Sequence, residues 1–131
     1  MDKKYLSKII ATDNEGLQVI SACCSGAEVK VDQIKYLQKN KVFLLSLKRS
    51  KVETEEQGKK VTSICKFEFV DRVKSKNIKQ NDPEEKLELI GMDYLKNNDN
   101  YEINLMFTNN AYITLSTEII EVTLDDQNKA D

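Results

Sequence analysis

From Val29 onward apolar residues recur at every second position, and that alternation excludes most folds before composition is considered. Val29 and Val31 alternate with Lys30 and Asp32, and Cys65, Phe67 and Phe69 with Lys66 and Glu68. Ile103, Leu105 and Phe107 alternate with Glu102 and Asn104, then Ile113 and Leu115 with Tyr112 and Thr114. Successive side chains of a strand point to opposite faces, so a period of two marks strands with one buried face. Such one-sided burial belongs to antiparallel sheets.

The strand runs can be placed. Tyr36-Leu37 precedes a polar turn at Gln38–Lys41. Val42–Leu47 is apolar on both faces until Ser46, as in a central strand. Val70, Val73 and Ile78 are expected to continue the strand through Phe69, with a bend or bulge. Asn77–Glu85 holds the only proline, Pro83, and reads as a loop. Leu87–Leu95, Tyr101–Phe107 and Ala111–Thr117 then form a meander, whose Asn109-Asn110 turn uses the tolerance of asparagine for positive φ. Glu118–Asp126 fits a short helix through Ile119, Ile120 and Leu124, or a strand through Val122 and Thr123. The tail Gln127–Asp131 is polar and is expected to fray.

One segment is helical instead. Thr12-Asp13-Asn14-Glu15 carries a capping-box pattern, in which side chains satisfy free amides at a helix start. Leu17, Ile20 and Cys24 follow at i, i+3 and i+7, with Val19 and Cys23 beside them, and Gly26 stands where a left-handed residue would end the helix. The spacing predicts a helix over Asp13–Ser25, with Gly16 in its first turn as a local cost. The fold class is therefore α+β, with an N-terminal helix followed by a curled, mostly antiparallel sheet or partly open barrel of about six to seven strands. No strand–helix–strand alternation and no internal sequence repeat is present. A chain of 131 residues fits one domain spanning 1–131.

Composition bears mainly on partners. Twenty Lys and Arg against 22 Asp and Glu leave a net charge of −2, so no overall field draws the chain to nucleic acid or to an anionic membrane. Three cysteines, Cys23, Cys24 and Cys65, make no secreted-type disulfide framework. Met1–Tyr5 is charged, the apolar stretch Ile9–Ala11 is too short for a signal peptide, and no run approaches the roughly 18 apolar residues of a membrane span. A reduced, cytoplasmic protein is expected.

The chemistry-bearing inventory is thin. There is no histidine, which removes the usual general base, the Ser-His and Cys-His pairs and the commonest metal ligand. Gly16, Gly26, Gly58 and Gly91 stand too far apart for a phosphate-cradling loop. No catalytic residue, cofactor or metal is assigned. Cys24 lies on the apolar helix stripe and reads as core, while neighbouring Cys23 diverges from it by about 100° of arc, unsuited to a shared metal site. Lys48, Arg49, Lys51, Arg72, Lys74 and Lys76 lie at the ends of two strands that could be neighbours, and they form the candidate interaction strip. Against it stands a solvated sheet edge whose lysines deter edge pairing, with Glu53, Glu55 and Glu56 close behind. Glu84, Glu85, Glu88, Asp93, Glu118 and Glu121 show no spacing that separates an acid–base pair from surface charge. Tyr36, Tyr94, Tyr101 and Tyr112 read as half-buried sheet residues with wet hydroxyls.

Three segments, Ala11–Ala22, Phe69-Val70-Asp71-Arg72-Val73 with Ile78, and Ala111–Leu124, together resemble a family of small uncharacterised bacterial proteins. That family occurs mainly in alphaproteobacteria and is known as a domain of unknown function. It typically has an arginine- and tryptophan-containing end to its second strand, where this chain has Lys48-Arg49-Ser50-Lys51-Val52-Glu53. The resemblance implies no activity. The residues favour a non-catalytic module that binds a protein partner or itself. The alternatives are a small-molecule or lipid-binding barrel and, behind it, a small enzyme using a cysteine or a carboxylate pair.

Overall fold

The computed structural model describes residues 8–50, 60–79, 81–82 and 84–127. Its elements in chain order are β1 (Lys8–Ala11), α1 (Asn14–Cys24), β2 (Glu28–Leu37), β3 (Val42–Ser50), β4 (Lys60–Phe67), β5 (Val70–Lys76), β6 (Lys86–Asn97), β7 (Asn100–Phe107), β8 (Tyr112–Thr117) and β9 (Val122–Asp126). The α+β class and the antiparallel pairing agree with expectation, and the sheet is open, in the order β1-β9-β4-β3-β2-β6-β7-β8-β5.

Three expectations are corrected. The described residues form nine strands, not six or seven, and the helix is not N-terminal because β1 precedes it. β1 is only four residues long and its pattern is exposed at Lys8 and Ile10, too little for a periodic signal. The segment read as one continuous strand from Cys65 to Ile78 is broken at Glu68-Phe69. Phe69 takes a left-handed φ of 59° and is 40% exposed, so the apolar alternation ends at Phe67. The stretch Glu118–Asp126, which fitted either a helix or a strand, contains strand β9 and no helix.

Helix α1 starts one residue later than the capping box implied. Asp13 is the cap, its side chain accepting from the Gly16 amide at 2.8 Å. Gly16 has a packing reason: a Cβ there would lie 2.9 Å from the Ala11 Cβ and 3.0 Å from its Cα. The close approach of β1 to α1 therefore outweighs the helix-propensity cost of about 1 kcal/mol. Leu17, Ile20, Ser21 and Cys24 form the buried face, and Gly26 leaves the helix with φ +86°.

The strand order has an internal logic. β2-β3-β4 is one meander and β6-β7-β8 is another. β5, which follows the first meander, pairs with the last strand of the second, and β9, which follows the second, pairs with the last strand of the first. The two exchanging connections bond to each other: the Glu68 amide donates to the Glu121 carbonyl (3.0 Å) and the Glu118 amide to the Phe69 carbonyl (3.3 Å). The meanders join through the first residues of β2 and β6, with Glu28 opposite Glu88. The halves thus follow the same course without sharing a residue pattern. Apolar side chains from both, with those of α1, form one buried cluster running from Ala11 to Leu124.

The halves differ in what precedes each meander. β2 and β6 pair only over Glu28–Lys30 and Lys86–Glu88, so the remainder of each strand has a second edge without a strand beside it. Beyond Glu88, α1 lies along β6, and the Met92 amide donates to the Ser21 hydroxyl at 2.8 Å. α1 also packs against β1 and β3 on the first-meander side, where β1 adds to β9 beside β4. Beyond Lys30 the matching place holds no strand or helix among the described residues, and there the Glu85 carbonyl, just before β6, accepts from the Val31 amide at 2.9 Å.

Candidate functional site

The incompletely filled half leaves a cleft of about 400 Å³ lined by Val31, Asp32, Ile34, Tyr36, Phe43, Val73, Ser75, Ile78 and Ile113. Its geometry follows from the strands. Between Val29 and Ile34 of β2 the register against β3 shifts, so Val31 and Asp32 swing out of the ladder and form one wall. Val73 and Ser75 of β5, with Ile78 beyond its end, form the other. Phe43 and Ile113, 1% and 2% exposed, make an apolar floor.

One end of the cleft is pinned. The Tyr36 hydroxyl donates to the Val70 carbonyl at 2.9 Å, and the Val70 amide donates to the Lys41 carbonyl at 2.8 Å. Lys41 Nζ lies 3.0 Å from Asp71 Oδ1, and that hydrogen bond and charge raise the Lys41 ammonium above its ordinary pKa. The start of β5 is thereby fastened to the β2–β3 turn. From Val73 onward its outer edge carries no strand, since β8 is its only partner among the described residues. Asp32, Ser75 and the Tyr36 hydroxyl are the polar groups in the lining.

The six residues of the expected strip do not form one strip. β3 lies between β2 and β4, whereas β5 is the far edge strand beside β8. Arg49 is buried: its Nη2 meets Asp126 at 3.1 Å, its Nε donates to Ser63 Oγ at 3.1 Å, and Ser63 Oγ donates to Asp126 Oδ1 at 2.6 Å. Lys48 is exposed on β3 and Lys51 lies outside the described residues. Arg72, Lys74 and Lys76 do form a set, all exposed on β5. Because Val73 and Ser75 face the cleft, alternation places these three cations on the opposite face of the strand.

A family model described as a protein of unknown function (DUF2948) matches residues 7–131. The chain belongs to this family. No curated protein and no solved structure matches the chain.

Among the remaining candidates of this DUF2948 chain, three carboxylates each have a different partner. Glu84 pairs with Lys30 at 3.3 Å, Glu85 accepts from the Lys79 amide at 3.2 Å, and Asp93 accepts from Asn104 at 3.2 Å. No group of three potential metal ligands occurs among the described residues, and none of their helices is long and apolar enough to cross a membrane. Tyr36 is not simply a wet sheet tyrosine, since its hydroxyl holds β5. Sequence reading had no access to the cleft, which unites residues from β2, β3, β5 and β8. Its one local signal was Val31-Asp32-Gln33-Ile34, where strict alternation lapses into two polar residues together.

Cys24 and Cys65 are both fully buried in the apolar cluster, and Cys23 is half-buried. A hydrogen bond with Cys24, then burial, then the Cys24 charge push the Cys65 thiol well above its ordinary pKa. An acid weakened by folding stabilises the native state below its unfolded pKa and loses that contribution as pH rises. Unfolding of this domain is therefore expected to become easier above about pH 8.5, where an unfolded thiol ionises. Urea titrations at pH 7.5 and 9.5 read the effect. Cys65→Ala should flatten the pH dependence, and an unchanged slope in that variant would refute the assignment.

Proposed function

We propose that this chain is a non-catalytic polypeptide-binding module whose site is the cleft between β2 and the outer edge of β5. The observation that carries the reading is the inequality of the halves. Where α1 and β1 fill the first, the second offers an apolar recess beside β5, whose outer edge no described strand joins. A strand edge supplies backbone hydrogen bonds to an incoming chain, and adjacent pockets select alternate side chains. The cleft is partly open to solvent, which suits an extended segment better than a metabolite needing enclosure on most sides. A single domain in a bacterial cytoplasm belongs to the same proposal, supported by three free thiols and by one apolar cluster spanning both meanders. The partner is a different chain. Two β5 strands paired antiparallel would set Arg72, Lys74 and Lys76 against their own copies, and like charges opposite one another destabilise a sheet.

Selection of a random peptide library on the folded protein tests this. Enriched peptides should shift backbone amide resonances of residues 70–76 and 31–36, and Val73→Glu should abolish those shifts while leaving the fold intact. Absence of enrichment, or enrichment that survives Val73→Glu, would sink the proposal. Displacement of bound peptide by a medium-chain fatty acid with higher affinity would favour the lipid-binding alternative.

A further inference from the structure

The next inference rests on the polypeptide-binding reading and names the chemistry of the occupant. We infer that the segment docking on β5 is an extended strand in which apolar residues alternate with Asp or Glu. The argument starts from the two faces that β5 presents. Val73 and Ser75 look into the apolar cleft, while Arg72, Lys74 and Lys76 are exposed on the other side. None of the three has an ion-pair partner among the described residues.

The row directly beside them carries no carboxylate. Their register partners on β8 are Ser116, Thr114 and Tyr112. Thr114 donates to Asn104 at 2.8 Å, and Asn104 to Asp93 at 3.2 Å, so that row is internally satisfied. Glu102, opposite Ser116 and two strands from Arg72, lines one recess with Arg72, Asp71 and Asp99, so Lys74 and Lys76 are the cations of the set farthest from carboxylates on this face. A strand added to the outer edge of β5 would place every second side chain directly beside a cation, and the intervening ones over Val31, Ile34, Val73 and Ile78. Cross-strand neighbours of opposite charge stabilise a sheet and like charges oppose it. The other half of the molecule shows the same solution intramolecularly, where β1 adds Ile9 and Ala11 against β9 and α1 supplies the apolar face.

Two synthetic eight-residue peptides decide it, one alternating Val or Ile with Glu and the other identical with Lys in place of each Glu. Binding is measured with the intact protein by amide shifts on β5. The Glu peptide should bind about tenfold more tightly at low salt, from three exposed charge pairs. The difference should shrink as ionic strength rises. In R72E/K74E/K76E the preference should reverse. Equal affinity for both peptides, or an unreversed preference in a variant that still folds, overturns the acidic specificity and leaves the docking site standing. Failure of both peptides to shift residues 70–76, with library peptides also failing, would instead remove the docking site itself.

Discussion

Asp126→Ala is expected to destabilise the domain by about 3–5 kcal/mol, because it removes the Asp126 carboxylate from a buried guanidinium. The Arg49 and Asp126 side chains are both 0% exposed at a 3.1 Å separation. Ser63 closes the triangle by accepting from Arg49 and donating to Asp126. Arg49 also donates from Nη1 to the Cys23 carbonyl at 3.5 Å, touching the end of α1. The cluster therefore joins β3, β4, β9 and the helix terminus. Its gross attraction is largely offset by the cost of drying two charges, so removing one partner does far more harm than removing both. Arg49→Met with Asp126→Leu and Ser63→Ala should fall much closer to wild type than Asp126→Ala alone. Urea denaturation of the single and triple variants measures this. An Asp126→Ala cost below about 1 kcal/mol would mean that water reaches the guanidinium and that the pair acts as a surface salt bridge.

Why sequence reading placed Arg49 on the surface is plain in physical terms. It stands in the polar run Lys48-Arg49-Ser50-Lys51, and local composition cannot reveal a carboxylate 77 residues away along the chain. Alternation did carry the information in part. Arg49 shares its parity with Leu45 and Leu47 and continues their buried face. A charged residue at an inward position needs a buried partner, and that expectation was available before any coordinates. Which partner it takes depends on β9 crossing to pair with β4, and the crossing is a fact of topology.

The same division applies to the fold. One-sided strands and the amphipathic helix were legible because burial writes a period into the sequence, as Leu17, Ile20 and Cys24 show. The Asn109-Asn110 turn was legible because both residues take positive φ, 64° and 59°. The break between β4 and β5 was not, because Phe69 keeps the alternating apolar identity while its backbone turns. Its exposed ring and left-handed φ are imposed by the exchange of strands between meanders, whose connections bond to one another at Glu68–Glu121 and Glu118–Phe69. β1 was missed because four residues with an exposed Ile10 gain their order from the edge of β9. The cleft was missed for a related reason: it exists where two meanders diverge and no helix intervenes.

That divergence gives the second large effect. Ile20→Ala should cost about 2–5 kcal/mol, since Ile20 is 0% exposed on the face of α1 that closes the first half. Ile78→Ala and Val73→Ala, at the corresponding place in the second half, should each cost less than about 1 kcal/mol, because both side chains border open space. The three are compared by denaturation midpoint at constant m-value. A side chain that completes the core loses both its transfer energy and its packing when shortened, and the cavity it leaves has no solvent to fill it. A side chain bordering an open cleft loses little, because water already reaches the space beside it. Should Val73→Ala prove as costly as Ile20→Ala, the cleft would be closed in solution and its residues would be core. A large difference would mean that apolar surface is kept uncovered on one half alone, against the hydrophobic tendency to bury it. A site that must stay open for an incoming chain gives that asymmetry a physical cause.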